Sequence, residues 1–431
     1  GEERAAAARI AEVRARHAAR IERYALGQLL AHEQHAAVRA RASALGLHLL
    51  ADLQIGASDR DLWAWPHAFL AGYRLGAPPS RTNPEGQPWG YPLLDPADRA
   101  GARGDTSGRR LFAARLAKLW DEFDGLRVDH PHGLVDPWVY RADDPDALHA
   151  VQHGARLFGS PACPEHPALA ELAIARPGDL NPDPATVRWA EDWVVRLDDE
   201  QVARYAARVD LLVATARARG RATDDVACEV LSTLPYPLAR VLERHGLGRF
   251  RVTQKADLAN PRDVYRSENA RPEDWIMVGT HDTRPLWQLV EVWLRDGSAP
   301  ARAARVAERL AAPGAERAQL ADAMARDAGA LALGHLAELF ASPARQVMVF
   351  FADAFGFAES YNDPGTVSER NWSLRLPPSW RGDYAARLAQ GRALNLPRAL
   401  ALACRARGVA ADLVARLDAD ALALPRAVAA E

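Results

Sequence analysis

Apolar positions along this chain alternate between helical stripes and short, nearly continuous apolar runs. Residues 3–44 put Ala, Leu, Ile and Val on one face of a helical period and Arg and Glu on the other. Residues 47–53 (Leu-His-Leu-Leu-Ala-Asp-Leu) then read as a buried strand. The Gly- and Pro-rich stretch 76–104 carries neither period and predicts a long loop, a kind of segment that usually serves function. An amphipathic helix over 108–123 feeds an apolar strand at 126–129. Residues 141–190, rich in Pro, His and Asp, predict irregular structure. A helix over 199–219 leads into a strand at 226–231, and a short helix at 238–244 into a strand at 249–254. A strand at 276–281, a Trp-rich helix at 286–295, helices over 301–341 and a strand at 346–351 follow. Beyond residue 381 the tail is helical, with breaks predicted at Pro397 and Pro425.

Six apolar strands separated by helices predict an α/β fold with parallel pairing. Six is two short of a closed (β/α)8 barrel. An open, doubly wound sheet would also use six, but no glycine-rich phosphate loop follows any of them. Three of the strands deliver an acid at their C-terminal end. Gly125-Leu126-Arg127-Val128-Asp129-His130 holds its carboxylate between a cation and an imidazole. Glu229 closes Val226-Ala227-Cys228-Glu229, and Asp282 closes Ile276-Met277-Val278-Gly279-Thr280-His281-Asp282. A parallel α/β barrel places its catalytic residues at those ends. Converging acids suit glycosidic-bond chemistry, which needs two carboxyl groups in different protonation states.

Blander roles compete for the same residues. An Arg-x-Asp pair on a strand is more often a structural ion pair, and a strand-end Glu often caps the next helix. Gly279-Thr280-His281-Asp282 also fits a capped turn. His32 and His35 have the spacing of a helical metal pair, yet only Glu33 is acidic nearby, so a solvated face is the expectation. Most of the 12 Trp, Trp63 and Trp65 included, are expected in packing roles. Trp89, inside the glycine/proline segment, is the best candidate to stack on a sugar face.

Composition narrows the class. At 48% apolar and 26% charged residues, the 431-residue chain has the make-up of a globular enzyme with a large core. A net charge of −2 gives no argument for a nucleic-acid or anionic-membrane partner. Cations are almost all Arg, with Lys only at 118 and 255. Cys163, Cys228 and Cys404 are scattered and odd in number, so neither a disulfide framework nor a zinc site is expected. No signal peptide is visible and no apolar run reaches about 18 residues, so a cytoplasmic location without a membrane span is expected. The chain opens at Gly1 rather than Met, which leaves room for an upstream portion.

Several segments, in one order along the chain, resemble the 4-α-glucanotransferases (amylomaltases, or disproportionating enzymes) of glycoside hydrolase family 77, within the α-amylase superfamily. Leu126-Arg127-Val128-Asp129-His130 resembles that family's nucleophile segment, and Ala227-Cys228-Glu229 its acid/base segment. Gly279-Thr280-His281-Asp282 is similar to its third-acid segment. Ala51-Asp52-Leu53-Gln54-Ile55 resembles the strand-three segment, and Gly76-Ala77-Pro78-Pro79 and Gly86-Gln87-Pro88-Trp89-Gly90-Tyr91-Pro92-Leu93 the loop after it. Tyr361-Asn362-Asp363-Pro364-Gly365-Thr366, followed by Asn371-Trp372, resembles the family's last shared stretch.

The resemblance spans residues from about 20 to about 380. It implies a TIM-type (β/α)8 barrel with about six of its eight strands present and the first two missing. Residues 1–431 would form a single catalytic domain, with insertions at 76–104 and 141–190 and a helical C-terminal tail. It also implies a retaining mechanism, with Asp129 as nucleophile, Glu229 as acid/base and Asp282 as the third acid. Arg127, two residues before Asp129, shares its strand face, and its fixed positive charge suits an ionised nucleophile. Retention would set the nucleophile and acid/base carboxyl groups roughly 5–5.5 Å apart. Asp52, His130, His281 and Trp89 would contact sugar. Implied substrates are maltooligosaccharides and α-1,4-glucans from starch or glycogen, with no metal or organic cofactor. Ser80, Tyr91 and Thr283-Arg284 depart from the family pattern in loops near the sugar sites, which bears on chain-length and acceptor preference. Two other readings stand beside transfer: an α-glucan hydrolase of the same superfamily, and a catalytically silent glucan-binding protein.

Overall fold

The computed structural model describes residues 2–80, 83–96 and 107–430. Its chain clusters into two compact units, Gly1–Val226 and Ala227–Glu431.

In the first unit the strands are β1 (Leu50–Leu53), β2 (Tyr73–Ala77), β3 (Gln87–Tyr91), β4 (Gly125–Val128), β5 (Trp138–Arg141) and β6 (Ala155–Arg156). Strands β1 and β4 are parallel, with Asp52 opposite Arg127 and Leu53 opposite Val128. The expected buried strand at 47–53 is shorter and one-sided. Ala51 and Leu53 are buried, whereas Leu47 is 56% and Leu50 41% exposed. Alternation follows because one strand face packs inward while the other is left open for Asp52. The β1–β4 pairing is anchored by Asp124, whose carboxylate accepts the Leu49 N–H at 3.0 Å and pairs with Arg221 at 2.9 Å.

The loop predicted over 76–104 is corrected in its described part; residues 81, 82 and 97–104 lie outside the described residues. Strand β2 pairs antiparallel with β3 and β5, and β5 with β6, giving the order β3-β2-β5-β6. Glycine hid this sheet from the sequence pattern, yet glycine is what it requires. A Cβ on Gly76 would lie 2.7 Å from the Gln87 carbonyl oxygen, and Gly90 has a φ of 76°. Residues 141–190 are mostly irregular, as predicted, apart from β6 and short helices such as Ala147–Gln152.

Helix Ser107–Glu122 packs on helix Asp199–Arg217, and Leu116, Trp120, Tyr205 and Leu212 between them are buried. Two helices, Glu2–Arg16 and Ala18–Ala44, occupy the predicted N-terminal helical region. Their apolar stripe is uncovered, with Ile10, Ile21, Tyr24, Leu29 and Leu30 exposed. Polar contacts tether the second of them. His32 reaches the Glu122 carboxylate at 2.9 Å, and His35 reaches the Glu122 carbonyl at 3.1 Å.

Strand β7 (Val226–Cys228) carries the chain into the second unit. There β8 (Phe250–Val252), β9 (Trp275–Met277) and β10 (Gln346–Val347) form a parallel sheet in the order β10-β9-β8. Helices Leu286–Asp296, Ala299–Leu310 and Ala328–Ala341 build the apolar core around Val290, Val306 and Leu336. The predicted strand at 346–351 is corrected to its first two residues. The chain turns into helix Phe351–Phe355, and Phe350 and Phe351 pack edge-on against Tyr361 instead of extending the ladder. Pro397 falls in the first turn of helix Leu396–Ala406, where no N–H is needed. Pro425 does not break the tail: helix Ala411–Ala430 runs through it. Proline removes the donor that would serve the Ala421 carbonyl, and Asn395 Nδ2 donates to that oxygen at 2.8 Å instead. Among the described residues no helix is long and apolar enough to cross a membrane.

Candidate active site

The strand ends of the first unit gather Asp52, Arg127, Asp129 and His130. Residues 127 and 129 share one face of β4, and the register places Asp52 beside Arg127 on that face. Arg127 Nη1 donates to both Asp52 oxygens, at 2.7 and 2.6 Å, and lies 3.2 Å from Asp129 Oδ1. The cation's side chain is only 14% exposed, whereas that of Asp129 is 39% exposed. A fixed charge therefore backs a carboxylate that is open to a reactant. The Asp129 N–H donates to the Leu53 carbonyl at 3.0 Å, extending the ladder one residue past the strand.

His130 turns the chain out of β4 with a φ of 47°. Left-handed backbone costs a non-glycine residue about 1–2 kcal/mol, so surrounding contacts must hold it. Its ring lies 4.4 Å from that of His132 and edge-on to Trp89 at 5.0 Å. The ring touches solvent yet is enclosed by protein. That enclosure pushes its pKa down to about 4; Asp129 opposes the shift and Arg156 adds to it. At neutral pH it is an uncharged imidazole with one donor and one acceptor.

Aromatic side chains stand on the segments that follow β1 and β2. Trp89 Nε1 donates to Gln87 Oε1 at 3.2 Å. Trp63 and Trp65 are not packing residues: they stand 85% and 52% exposed at the helix that follows β1. Tyr91, 49% exposed, lies against Gly56, where a Cβ would come within 2.6 Å of its ring.

In the second unit Glu229 directly follows β7, and Asp282 sits in a tight turn after β9. The Thr280 N–H donates to Thr283 Oγ1 at 2.8 Å, and the Asp282 N–H to Thr280 Oγ1 at 3.2 Å. Asn362 Nδ2 donates to Asp282 Oδ1 at 2.6 Å, and the Asn362 N–H to the His281 carbonyl at 3.2 Å. His281 Nε2 lies 3.3 Å from Asp282 Oδ2, with its ring 5.1 Å from that of Trp372. The segment carrying Tyr361 and Asn362 thus clamps the third-acid turn.

Sequence reasoning missed Lys255. It ends the turn Thr253–Lys255 after β8. Burial lowers its pKa, while Glu229 and Asp282 both act on its ammonium and oppose the drop. One signal pointed to it: it is one of two lysines in a chain whose other cations are arginines, and it follows a strand. Among the described residues no group of three or more His, Cys, Asp or Glu side chains is arranged to hold a metal ion.

Comparison with known proteins gives this geometry a context. Residues 2–380 match the family model described as 4-alpha-glucanotransferase, glycoside hydrolase family 77. The 4-alpha-glucanotransferase of Thermus thermophilus is 30% identical over 136 residues, covering 29% of this chain and 26% of that one. The chloroplastic/amyloplastic enzyme of Solanum tuberosum is 30% identical over 129 residues, covering 28% and 22%. Among solved structures, the amylomaltase of Corynebacterium glutamicum superposes with a TM-score of 0.56 at 21% identity, covering 91% of this chain and 49% of that one. The amylomaltase of Streptococcus agalactiae in complex with acarbose gives a TM-score of 0.55 at 17% identity, covering 82% and 59%. The chain thus spans about half the length of these solved relatives and shares their barrel-type fold. With the family model covering most of its length, the chain belongs to glycoside hydrolase family 77, the 4-alpha-glucanotransferases.

Proposed function

We propose that this chain carries the catalytic domain, residues 1–431, of a 4-α-glucanotransferase acting on maltooligosaccharides and on α-1,4-glucans derived from starch or glycogen. The Asp129 carboxylate attacks the anomeric carbon of the donor sugar. The glycosidic C1–O4 bond breaks as Glu229 gives its proton to the departing O4. A glycosyl ester on Asp129 results. Glu229, now ionised, takes the proton of an acceptor 4-hydroxyl, which attacks C1 and releases Asp129. Asp282, oriented by Asn362, holds sugar hydroxyls while positive charge develops on the ring. His130 and His281 hydrogen-bond that sugar, and Trp89 and the exposed Trp63 offer faces for neighbouring ones. The reading needs no cofactor, membrane or nucleic acid, and places the protein in the cytoplasm.

The observation that carries this reading is the placement of Asp129. It stands at a strand's C-terminal end, backed by a guanidinium that Asp52 in turn fixes, within a chain of this family. Incubation with maltotriose, with products resolved by size, tests it. Transfer yields glucose together with longer maltooligosaccharides. Only shorter sugars would make the protein a hydrolase, and sugar binding without products would make it a silent binder.

A further inference from the structure

The second unit holds a small cavity between the segment 253–267 and the helices Ala299–Leu310 and Ala328–Ala341. Thr253, Ser267, Arg302, Arg305, His335 and Glu338 contribute its polar lining. Its charges are unevenly matched. Arg305 and the neighbouring Arg266 both pair with Glu268. Arg302 has no ion pair among the described residues. Its guanidinium lies 4.0 Å over the Trp293 ring, and its Nε is buried without a hydrogen-bond partner. The carboxylate that acts on it, Asp296, stays outside ion-pair distance. His335, 5% exposed, rests against the same Trp293 ring at 5.1 Å; its Nδ1 lies 3.7 Å from Glu338 Oε2, beyond hydrogen-bond length, and neither ring nitrogen has a hydrogen-bond partner. Thr253 Oγ1 is buried and unpartnered as well. Glu338, the one carboxyl in the lining, accepts the Ser267 hydroxyl at 2.5 Å.

Buried polar groups are nearly always hydrogen-bonded, and a buried cation calls for a counter-charge. We propose that this cavity binds one halide-sized anion, held by Arg302, an N–H of His335 and the hydroxyl of Thr253. Three donors around a spare positive charge fit a species that only accepts. A water molecule would bring two donors of its own and leave the arginine's charge uncompensated. The space is small, of the order that holds a single compact occupant, which favours a halide over a bulky oxyanion. Thr253 opens the turn that ends at Lys255, so the bound anion ties that turn, and with it the surroundings of Glu229 and Asp282, to the helical layer.

Bromide provides the direct probe. Crystals of the full chain grown with bromide in place of chloride should show an anomalous peak in this cavity. In solution, chloride should raise Tm saturably over gluconate at equal ionic strength, by about 2–4 °C. Arg302→Met should lose that response. Thr253→Val, a near-isosteric change, should weaken it and serves if the arginine variant does not fold. A cavity without an anomalous peak, or equal Tm values in the two salts for the wild-type chain, would overturn the proposal and leave water as the occupant.

Discussion

Asn362 lies eighty residues from Asp282 in sequence, yet its amide donates to that carboxylate at 2.6 Å and helps to set its direction. Removing it with Asn362→Ala takes away the contact on Oδ1 while His281 stays beside Oδ2. Small misplacements of reacting groups cost up to ~100-fold. We therefore expect kcat on maltotriose to fall roughly 10–100-fold with KM changed far less; an unaltered kcat would deny Asn362 this role. His130 gives a second prediction at this scale. Its folded pKa of about 4 lies below the roughly 6.5 of an unfolded chain. The unfolded state therefore takes up the proton first, and stability present above pH ~6.5 is lost as pH falls toward 4. Its ring resonances should not titrate between pH 5 and 8 by NMR. A midpoint near 6.5 would show the imidazole to be solvated rather than enclosed.

Helix Phe351–Phe355 touches the N-terminus of helix Leu286–Asp296 through Asp353, which accepts the Leu286 N–H at 2.7 Å. Burial raises its pKa to about 7, against the pull of that hydrogen bond. The folded chain thus keeps a proton that the unfolded chain releases near pH 4, so stability falls as pH rises from about 4 to about 7. That difference between the folded and unfolded chains corresponds to on the order of 4 kcal/mol. Asp353→Asn should flatten that slope in urea unfolding at pH 4.5 and 7.5; an unchanged slope would place the titration elsewhere. The C-terminal helix depends similarly on Asn395, whose Nδ2 serves the Ala421 carbonyl and whose Oδ1 accepts the Arg398 N–H at 3.1 Å. Asn395→Ala should cost about 1–3 kcal/mol and speed amide exchange around Pro425. Equal exchange would mean that the helix tolerates the proline unaided.

Legibility at the element scale followed the source of each signal. Strands β4, β7, β8 and β9 were readable because parallel strands bury both faces and appear as apolar runs. Strands β2 and β3 were not, because Gly76 and Gly90 answer close approach and positive φ rather than periodicity. Phe350 and Phe351 read as strand but belong to an aromatic cluster around Tyr361. Trp63 and Trp65 read as core because apolar residues are assumed inside until exposure is known. The positions of Asp129, Glu229 and Asp282 just beyond strands were legible from the apolar runs that precede them. Lys255 and the clamp from Asn362 onto Asp282 were not, since both arise from tertiary placement.

For the whole molecule, the proposed reaction turns on Asp129 as the residue that carries the donor sugar. Covalent attachment of the donor sugar to Asp129 is open to direct test. A fluorinated maltosyl fluoride, which forms the glycosyl ester faster than it is released, would trap that species. Intact mass followed by peptide mapping should find one adduct per chain, on the peptide containing Asp129, and none in the Asp129→Asn variant. An adduct on another carboxylate, or its persistence in the variant, would contradict the account.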